Sequence, residues 1–225
     1  MIIAIDGPAG AGKSTLARRI AGKLGCIYID SGAMYRSIAL WALRNKTSLS
    51  DMHRLEQLAR EAEIEFRPGA ATVLLNGEDV TEAIRTQEVS DAASQVSAIP
   101  GVRQALVRLQ RQMAADASVV MEGRDIGTVV FPDADVKIFL DAHQGVRADR
   151  RVRQLATAGR AVAEDEVASE IQERDRRDRT RAESPLMQAP DAVYVDTTGL
   201  SIDEVEERLL RIIRERTSNG KELRR

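Results

Sequence analysis

The sequence predicts an α/β fold: a parallel sheet with helices on both faces, a small antiparallel sheet inserted into it, and a short helical, Arg-rich lid. Three observations carry that expectation. Apolar runs of strand length alternate with longer stretches whose apolar residues recur at helical spacing. A glycine-rich segment, GPAGAGKST at 7–15, separates the first apolar run from the first helical stretch. An Asn76-Gly77 pair, the two-residue hairpin signal, then interrupts the alternation.

In chain order, Ile2 to Ile5 form a buried strand that meets Asp6, and residues 7–12 form a loop. Residues 13–24 are a helix striped by Leu16, Ile20 and Leu24, and Ile27-Tyr28-Ile29 is a second strand ending at Asp30. Helices follow over 33–44, with Ile38, Trp41 and Ala42 on one side, and over 51–62. Beyond Ile64 and Phe66 a Pro68-Gly69 turn leads into the β-rich run Thr72 to Leu75, then through Asn76-Gly77 to Val80. The antiparallel insertion thus covers about 63–82. Helices resume over 88–98 and 101–115, the second striped by Val102, Leu106, Leu109 and Met113. Val119 to Met121 and Val136 to Leu140 are core strands, each running into an acidic residue. Residues 144–181 are helical and rich in Arg, Asp and Glu, and Val193 to Val195 form the last strand. Ser201 with Glu204 is a capping box opening a helix with Val205, Leu209 and Ile213, and the polar tail after Ser218 is expected to fray. Ligands of such sheets sit beyond the carboxyl ends of the strands, where Asp6, Asp30, Glu122 and Asp141 gather.

At 225 residues and 43% hydrophobic, the chain can bury a core as one domain over 1–225. Its 30% charged residues sum to a net −2, which advertises neither nucleic acid nor an acidic membrane as a partner. Aromatics, at 3%, are too few for a base-stacking platform. The run at 2–5 is too short for a signal peptide and no stretch is long enough to span a membrane, so the expected compartment is cytoplasmic. Cys26 stands alone, excluding an internal disulfide and a cysteine-based metal cluster, and is expected to be a small core residue. With only two His, metal ligation falls to oxygen ligands.

Gly7-Pro8-Ala9-Gly10-Ala11-Gly12-Lys13-Ser14-Thr15 matches the phosphate loop G-x-x-x-x-G-K-[ST] in full. Its glycines let backbone N–H groups turn inward around a phosphate, and the following helix adds its N-terminal positive end. Lys13 can reach the β- and γ-phosphates of a nucleoside triphosphate, and the Ser14 hydroxyl can ligate Mg²⁺. The strand before the loop and the helix after it distinguish this segment from a chance glycine-rich turn. A GTPase would need a guanine-reading N-K-x-D, and Asn45-Lys46 has no Asp two residues later. The chain is also short for an ATP-driven motor, so a small-molecule kinase is the simplest class.

Further candidates line the same edge. Ser31, Tyr35 and Arg36 share the first turns of a helix, as a phosphate clamp or as an ordinary N-cap with surface neighbours. Glu122 stands where an acid can orient a Mg²⁺ shell. Arg124 and Asp125 follow on a glycine-flanked loop, where a buried salt bridge is the competing explanation. In ERDRRDRTR at 173–181, Arg174, Arg177, Asp178 and Arg181 fall on one helical face. The spacings Glu170–Arg174, Glu173–Arg177 and Asp175–Arg179 also suit a solvated helix, yet the positive excess and the forked geometry of Arg favour a lid over a transferring phosphoryl.

Together these motifs resemble the bacterial cytidylate kinases over nearly the whole chain up to about residue 200. The resemblance rests on GPAGAGKST, DSGAMYR (30–36), IRTQEVS (84–90), ASQVSAIPGVR (93–103), EGRDIGTVVFPDA (122–134), KIFLDA (137–142) and ERDRRDRTR. The antiparallel insertion is similar to the enlarged monophosphate-binding region of that family, which eukaryotic UMP/CMP kinases lack. The resemblance implies one kinase domain with a monophosphate-binding region over 31–100, a lid over 147–182 and a core elsewhere. It implies ATP as phosphoryl donor, Mg²⁺, CMP and dCMP as acceptors with weak use of UMP, and a monomer. Ser31, Tyr35, Arg36 and Arg124 would hold the acceptor phosphate, and Ser94, Arg103 and Asp125 would read cytosine. Arg174 and Asp178 would contact the sugar, and Arg181 would work with Lys13 at the transferring phosphoryl. Lys13, Arg124, Arg174 and Arg181 are therefore the catalytic candidates, with Arg150 and Arg151 in the lid region. Some relatives carry Asp at the Glu122 position, and either acid can serve a metal shell.

Chemistry agrees with the choice of base. Cytosine presents an N4 amino donor to the carboxylate of Asp125, whereas the O4 of uracil would repel it. An acceptor phosphate ionised near neutral pH needs no strong general base, and His53 and His143 lie outside every motif, as structural or surface residues. Two other readings stay open: a nucleotide-binding regulatory or assembly protein without turnover, and a UMP/CMP or other monophosphate kinase with a different base pocket.

Overall fold

The computed structural model describes residues 1–67, 72–157, 159 and 162–222. In chain order its strands are β1 (Ile2–Asp6), β2 (Ile27–Asp30), β3 (Ile64–Phe66), β4 (Val73–Leu75), β5 (Glu78–Asp79), β6 (Val119–Gly123), β7 (Val136–Asp141) and β8 (Val193–Asp196). The helices are α1 (Lys13–Leu24), α2 (Ser31–Arg44), α3 (Met52–Glu61), α4 (Gln87–Val96), α5 (Pro100–Met113), α6 (Gln144–Thr157), α7 (Glu164–Thr180) and α8 (Ile202–Glu222).

The alternation of side chains along β1 decides the layering. Ile3 and Ile5 enter one apolar cluster and Ala4 the other, and β6 divides the same way, Val120 against Val119 and Met121. A sheet apolar on both faces needs helices on both. Leu16 and Ile20 of α1 join Val205, Leu209 and Ile213 of α8 over one face. Met34 and Ile38 of α2, Leu55 of α3, Val89 of α4 and Leu106 of α5 supply the other cluster. The sheet runs β2-β6-β1-β7-β8, parallel throughout. Its register sets Asp6 opposite Gly123, Asp30 opposite Glu122 and Asp141 opposite Asp196. The expected acids therefore do reach one edge.

The inserted sheet is β3-β4-β5, antiparallel, with Ile64 opposite Leu75 and Leu75 opposite Glu78. Asn76 and Gly77 have φ of 50° and 82°, the positive pair that a type I′ hairpin requires. The Pro68-Gly69 turn lies outside the described residues.

Several expectations need correction. The second helix begins at Ser31 rather than residue 33, because the Asp30 carboxylate accepts from the Ala33 amide at 2.9 Å and caps it. The helical stretch 144–181 is two helices, with Gly159 at φ 75° between them and Glu164, Asp165 and Glu166 loading the first turn of the second. These two helices bring Ala148, Leu155, Val167 and Ile171 into a third, small apolar cluster. Leu24 is exposed at the end of α1, where Gly25 turns the chain out of the helix, and Cys26 beyond it is only half-buried, not a core residue. Helix α8 runs to Glu222, and residues 223–225 of the tail expected to fray lie outside the described residues. The Ser201 amide and Glu204 carboxylate close the expected capping box at 2.8 Å. His53 and His143 are exposed, and among the described residues no helix is long and apolar enough to cross a membrane.

Candidate active site

The phosphate loop leaves β1 under tight constraint. Gly7 has φ 147°, and a Cβ there would fall 2.0 Å from the Leu140 carbonyl oxygen of β7, so only glycine fits. Lys13 opens α1 with 6% exposure, and its ammonium donates to the Pro8 carbonyl at 2.7 Å, closing across the loop. Burial, and then the neighbouring Arg124, lower its pKa to about 7. Ser14 and Thr15 lie on the exposed side of the same turn.

Glu122, the last residue but one of β6, is almost fully buried. Its carboxylate accepts from the Tyr28 hydroxyl at 2.7 Å, and the Ser14 hydroxyl is near enough to favour its charged form. Burial, and then the charge of Asp30, raise its pKa. A hydroxyl and a carboxylate placed near each other are an oxygen pair that fits Mg²⁺, a hard ion that keeps waters and phosphate oxygens in its remaining positions. Among the described residues no larger His, Cys, Asp and Glu cluster could hold a metal.

The acceptor candidates meet beside this pair. Ser31 is buried, and its hydroxyl donates to the Glu122 carbonyl at 2.6 Å. The Arg36 guanidinium bonds Asp30 at 2.8 Å, while its Nε is buried with no partner among the described residues. Tyr35 is buried, which pushes its phenol up to about 12, and the Arg103 guanidinium stands 5.4 Å from its ring centroid. Arg103 also donates to the Ser97 carbonyl at 3.1 Å and pairs directly with Asp125, so the competing salt bridge is present. Ser94 is half-buried on α4, one turn before Ser97.

Helix α7 brings the rest. Asp178 accepts from Arg124 Nε at 2.8 Å, and although burial opposes its charge, Arg124 and Arg174 hold its pKa below the usual range. Arg181 lies 3.7 Å from Asp125 and 3.9 Å from Asp178. Burial, and then Arg124, lower the Arg174 pKa to about 10. Of the three spacings that suited a solvated helix, only Glu173–Arg177 forms, at 3.4 Å. Glu170 accepts instead from Gln87 of α4 at 3.3 Å, and Asp175 from Arg147 at 2.5 Å. The helix is thus turned toward the site. Arg150 is engaged with Thr197, its guanidinium donating to the hydroxyl and the carbonyl at 2.9 and 2.8 Å.

Three residues were missed as site residues. Asp6 accepts from the Ile126 and Gly127 amides at 2.8 and 2.7 Å and so holds the segment after Asp125; burial raises its pKa to about 6. Tyr28 holds Glu122, a contact implied once β2 is paired beside β6. Arg147 reaches the phosphate loop itself.

The family model for cytidylate kinase matches residues 3–215. A curated cytidylate kinase of Solibacter usitatus is 59% identical over 224 residues, spanning 99% of this chain and 96% of that one. The cytidylate kinase of Syntrophotalea carbinolica is 51% identical over 218 residues, spanning 96% and 93%. A solved structure of an uncharacterized protein from Eubacterium ventriosum aligns with a TM-score of 0.50 over 95% of this chain and 98% of that one, at 12% identity, a likeness of fold alone.

Proposed function

Because the chain belongs to the cytidylate kinase family, and is thus a nucleoside monophosphate kinase, we propose that it moves the γ-phosphoryl group of ATP to CMP and dCMP, giving ADP and CDP or dCDP. One observation carries this reading. Lys13 of the phosphate loop lies within electrostatic reach of Arg124, Arg174, Glu122 and Asp178, so donor loop and acceptor cluster form a single charged site.

In this reading the loop amides of 7–15 and the start of α1 seat the triphosphate, and Lys13 turns from Pro8 to its β- and γ-phosphates. Ser14 and Glu122 would hold Mg²⁺, which when bound neutralises charge between those phosphates. Tyr35, Arg36 and Arg124 bind the acceptor phosphate, and Ser31 joins them by rotating its hydroxyl away from the Glu122 carbonyl. Asp125, set by Arg103 and aided by Ser94, accepts from the cytosine amino group. A site built on such a bond can reject the wrong base by up to ~10⁴-fold. Arg174 and Asp178 take the sugar, and Arg181 with Lys13 stabilises the transferring phosphoryl. The acceptor phosphate is already ionised, so positioning and charge stabilisation do the catalysis without a general base. Residues 31–100 form the monophosphate-binding region and α6 with α7 the lid over 147–182, which excludes water from ATP. The enzyme works as a cytoplasmic monomer without nucleic acid or membrane.

Replacing Arg181 with Ala should lower turnover by roughly 10³-fold or more, by analogy with arginine fingers, as measured by coupled ADP release. The reading itself is tested by ADP release with CMP, dCMP, UMP, AMP and no acceptor. Fast release with CMP and dCMP, slow with UMP and near zero without acceptor supports it. Equal rates in every tube mean an ATPase, and silence in all of them a binding protein without turnover.

A further inference from the structure

Arg147 and Asp175 are given no contact with either nucleotide in the roles assigned above, yet they are among the most enclosed ions of the described residues, at 5% and 8% exposure. Arg147, in the first turn of α6, donates from Nε to the Ala142 carbonyl at 3.0 Å and from one terminal nitrogen to the Ala9 carbonyl at 3.0 Å. The same nitrogen bonds Asp175 of α7 at 2.5 Å, and Asp175 accepts from the Ala9 amide at 3.4 Å. One ion pair thus grips both backbone groups of a single phosphate-loop residue. The next residue, Gly10, passes so near that a Cβ would lie 2.9 Å from the Arg147 backbone oxygen.

The α6–α7 pair has its own apolar cluster, distinct from the two on the sheet faces. It is tied to the rest of the chain by polar contacts: this grip, Arg150 on Thr197, Asp178 on Arg124 and Glu170 on Gln87. A buried ion pair is a weak source of stability beside an apolar replacement, so its value here lies in position. Arg174 adjoins Asp175, and Asp178 and Arg181 follow on the next turns.

We propose that the Arg147–Asp175 pair is a positioning element that couples the seating of donor phosphates in loop 7–15 to the placement of Arg174, Asp178 and Arg181 over the acceptor. Phosphates drawing on the loop amides shift Ala9, and the pair passes that shift to α7. The inference rests on the kinase reading above. By linkage the coupling is reciprocal, each nucleotide changing the affinity for the other by the same factor.

The test uses the full chain and calorimetry of CMP binding, with and without a saturating non-hydrolysable ATP analogue and Mg²⁺. Wild type is compared with Asp175→Asn, which keeps an oxygen for the Ala9 amide but loses the charge, and Arg147→Lys, which keeps the charge but loses the fork. In wild type the analogue should tighten CMP binding by about tenfold, and CMP should tighten analogue binding equally. In either variant the factor should fall below about twofold, with affinity for CMP alone within about twofold of wild type. A factor near one in wild type, or a wild-type factor in a cooperatively folded variant, overturns the inference and leaves the kinase reading intact. Loss of cooperative unfolding in both variants would mark the pair as scaffold and overturn it equally. A wild-type enzyme that neither binds CMP nor transfers phosphate to it sinks both.

Discussion

Lys13 is held away from its ordinary protonation state by burial, and that has a measurable sign. Its pKa falls from 10.5 to about 7, so at pH 8 the side chain is mostly neutral, and at pH 6 mostly charged. A bound triphosphate favours the ammonium and raises the pKa again. Nucleotide binding at pH 8 should therefore take up a fraction of a proton that is not taken up at pH 6. Calorimetry in buffers of different ionisation enthalpy reads this uptake, and Lys13→Met should abolish the pH 8 excess. Asp125 makes a second case. Its carboxylate faces both Arg103 and Arg181, so Asp125→Ala would remove the proposed base contact and also strand a buried guanidinium. Selectivity for CMP over UMP should fall by tenfold or more, with a stability loss of about 3 kcal/mol in urea unfolding. A stability loss with selectivity unchanged would leave Asp125 as a structural partner of Arg103 alone.

At the scale of elements, the sheet was legible because β1, β6 and β7 carry nearly unbroken apolar runs, each running into an acid or glycine. The antiparallel insertion was legible from Asn76-Gly77. The break between α6 and α7 was not, since Arg, Asp and Glu carry little periodic signal and one glycine within a polar run is ambiguous. The site follows the same division. Residues inside a motif could be found from the motif, but Arg147 binds Ala9 through a carbonyl 138 positions away and Asp6 binds amides 120 and 121 away. Contacts to backbone leave no trace in side-chain spacing. The five-residue π-helical segment Ile126–Val130 was missed for a related reason: Asp6 holds its first two amides from outside. Gly123 marks where β6 meets the start of α2, and a Cβ there would lie 2.6 Å from the Ser31 hydroxyl. Gly123→Ala should cost about 1–3 kcal/mol in urea unfolding and weaken CMP binding through displaced Ser31, whereas Gly22→Ala on α1, where a Cβ meets nothing within 4 Å, should do neither.

For the molecule as a whole, cohesion is uneven. Two large apolar clusters clamp the sheet, while α6 and α7 rest on four buried apolar residues and polar ties. Amides of α6 and α7 should exchange hydrogen through an opening well below the free energy of global unfolding, and those of β1, β6 and β7 only through global unfolding. Denaturant-dependent exchange separates the two, and uniform protection would show α6 and α7 to be part of the main cooperative unit. The acids brought to the sheet edge have a different consequence. Asp30 stands against Arg36, Asp125 against Arg103 and Arg181, and Asp178 against Arg124, so three carboxylates offset part of the charge of five guanidiniums, Arg174 included. A passing anion feels less long-range pull from such a cluster than from the same guanidiniums unpaired. Entry becomes an exchange of partners, open to a ligand that fits several guanidiniums at once and closed to one that offers charge alone.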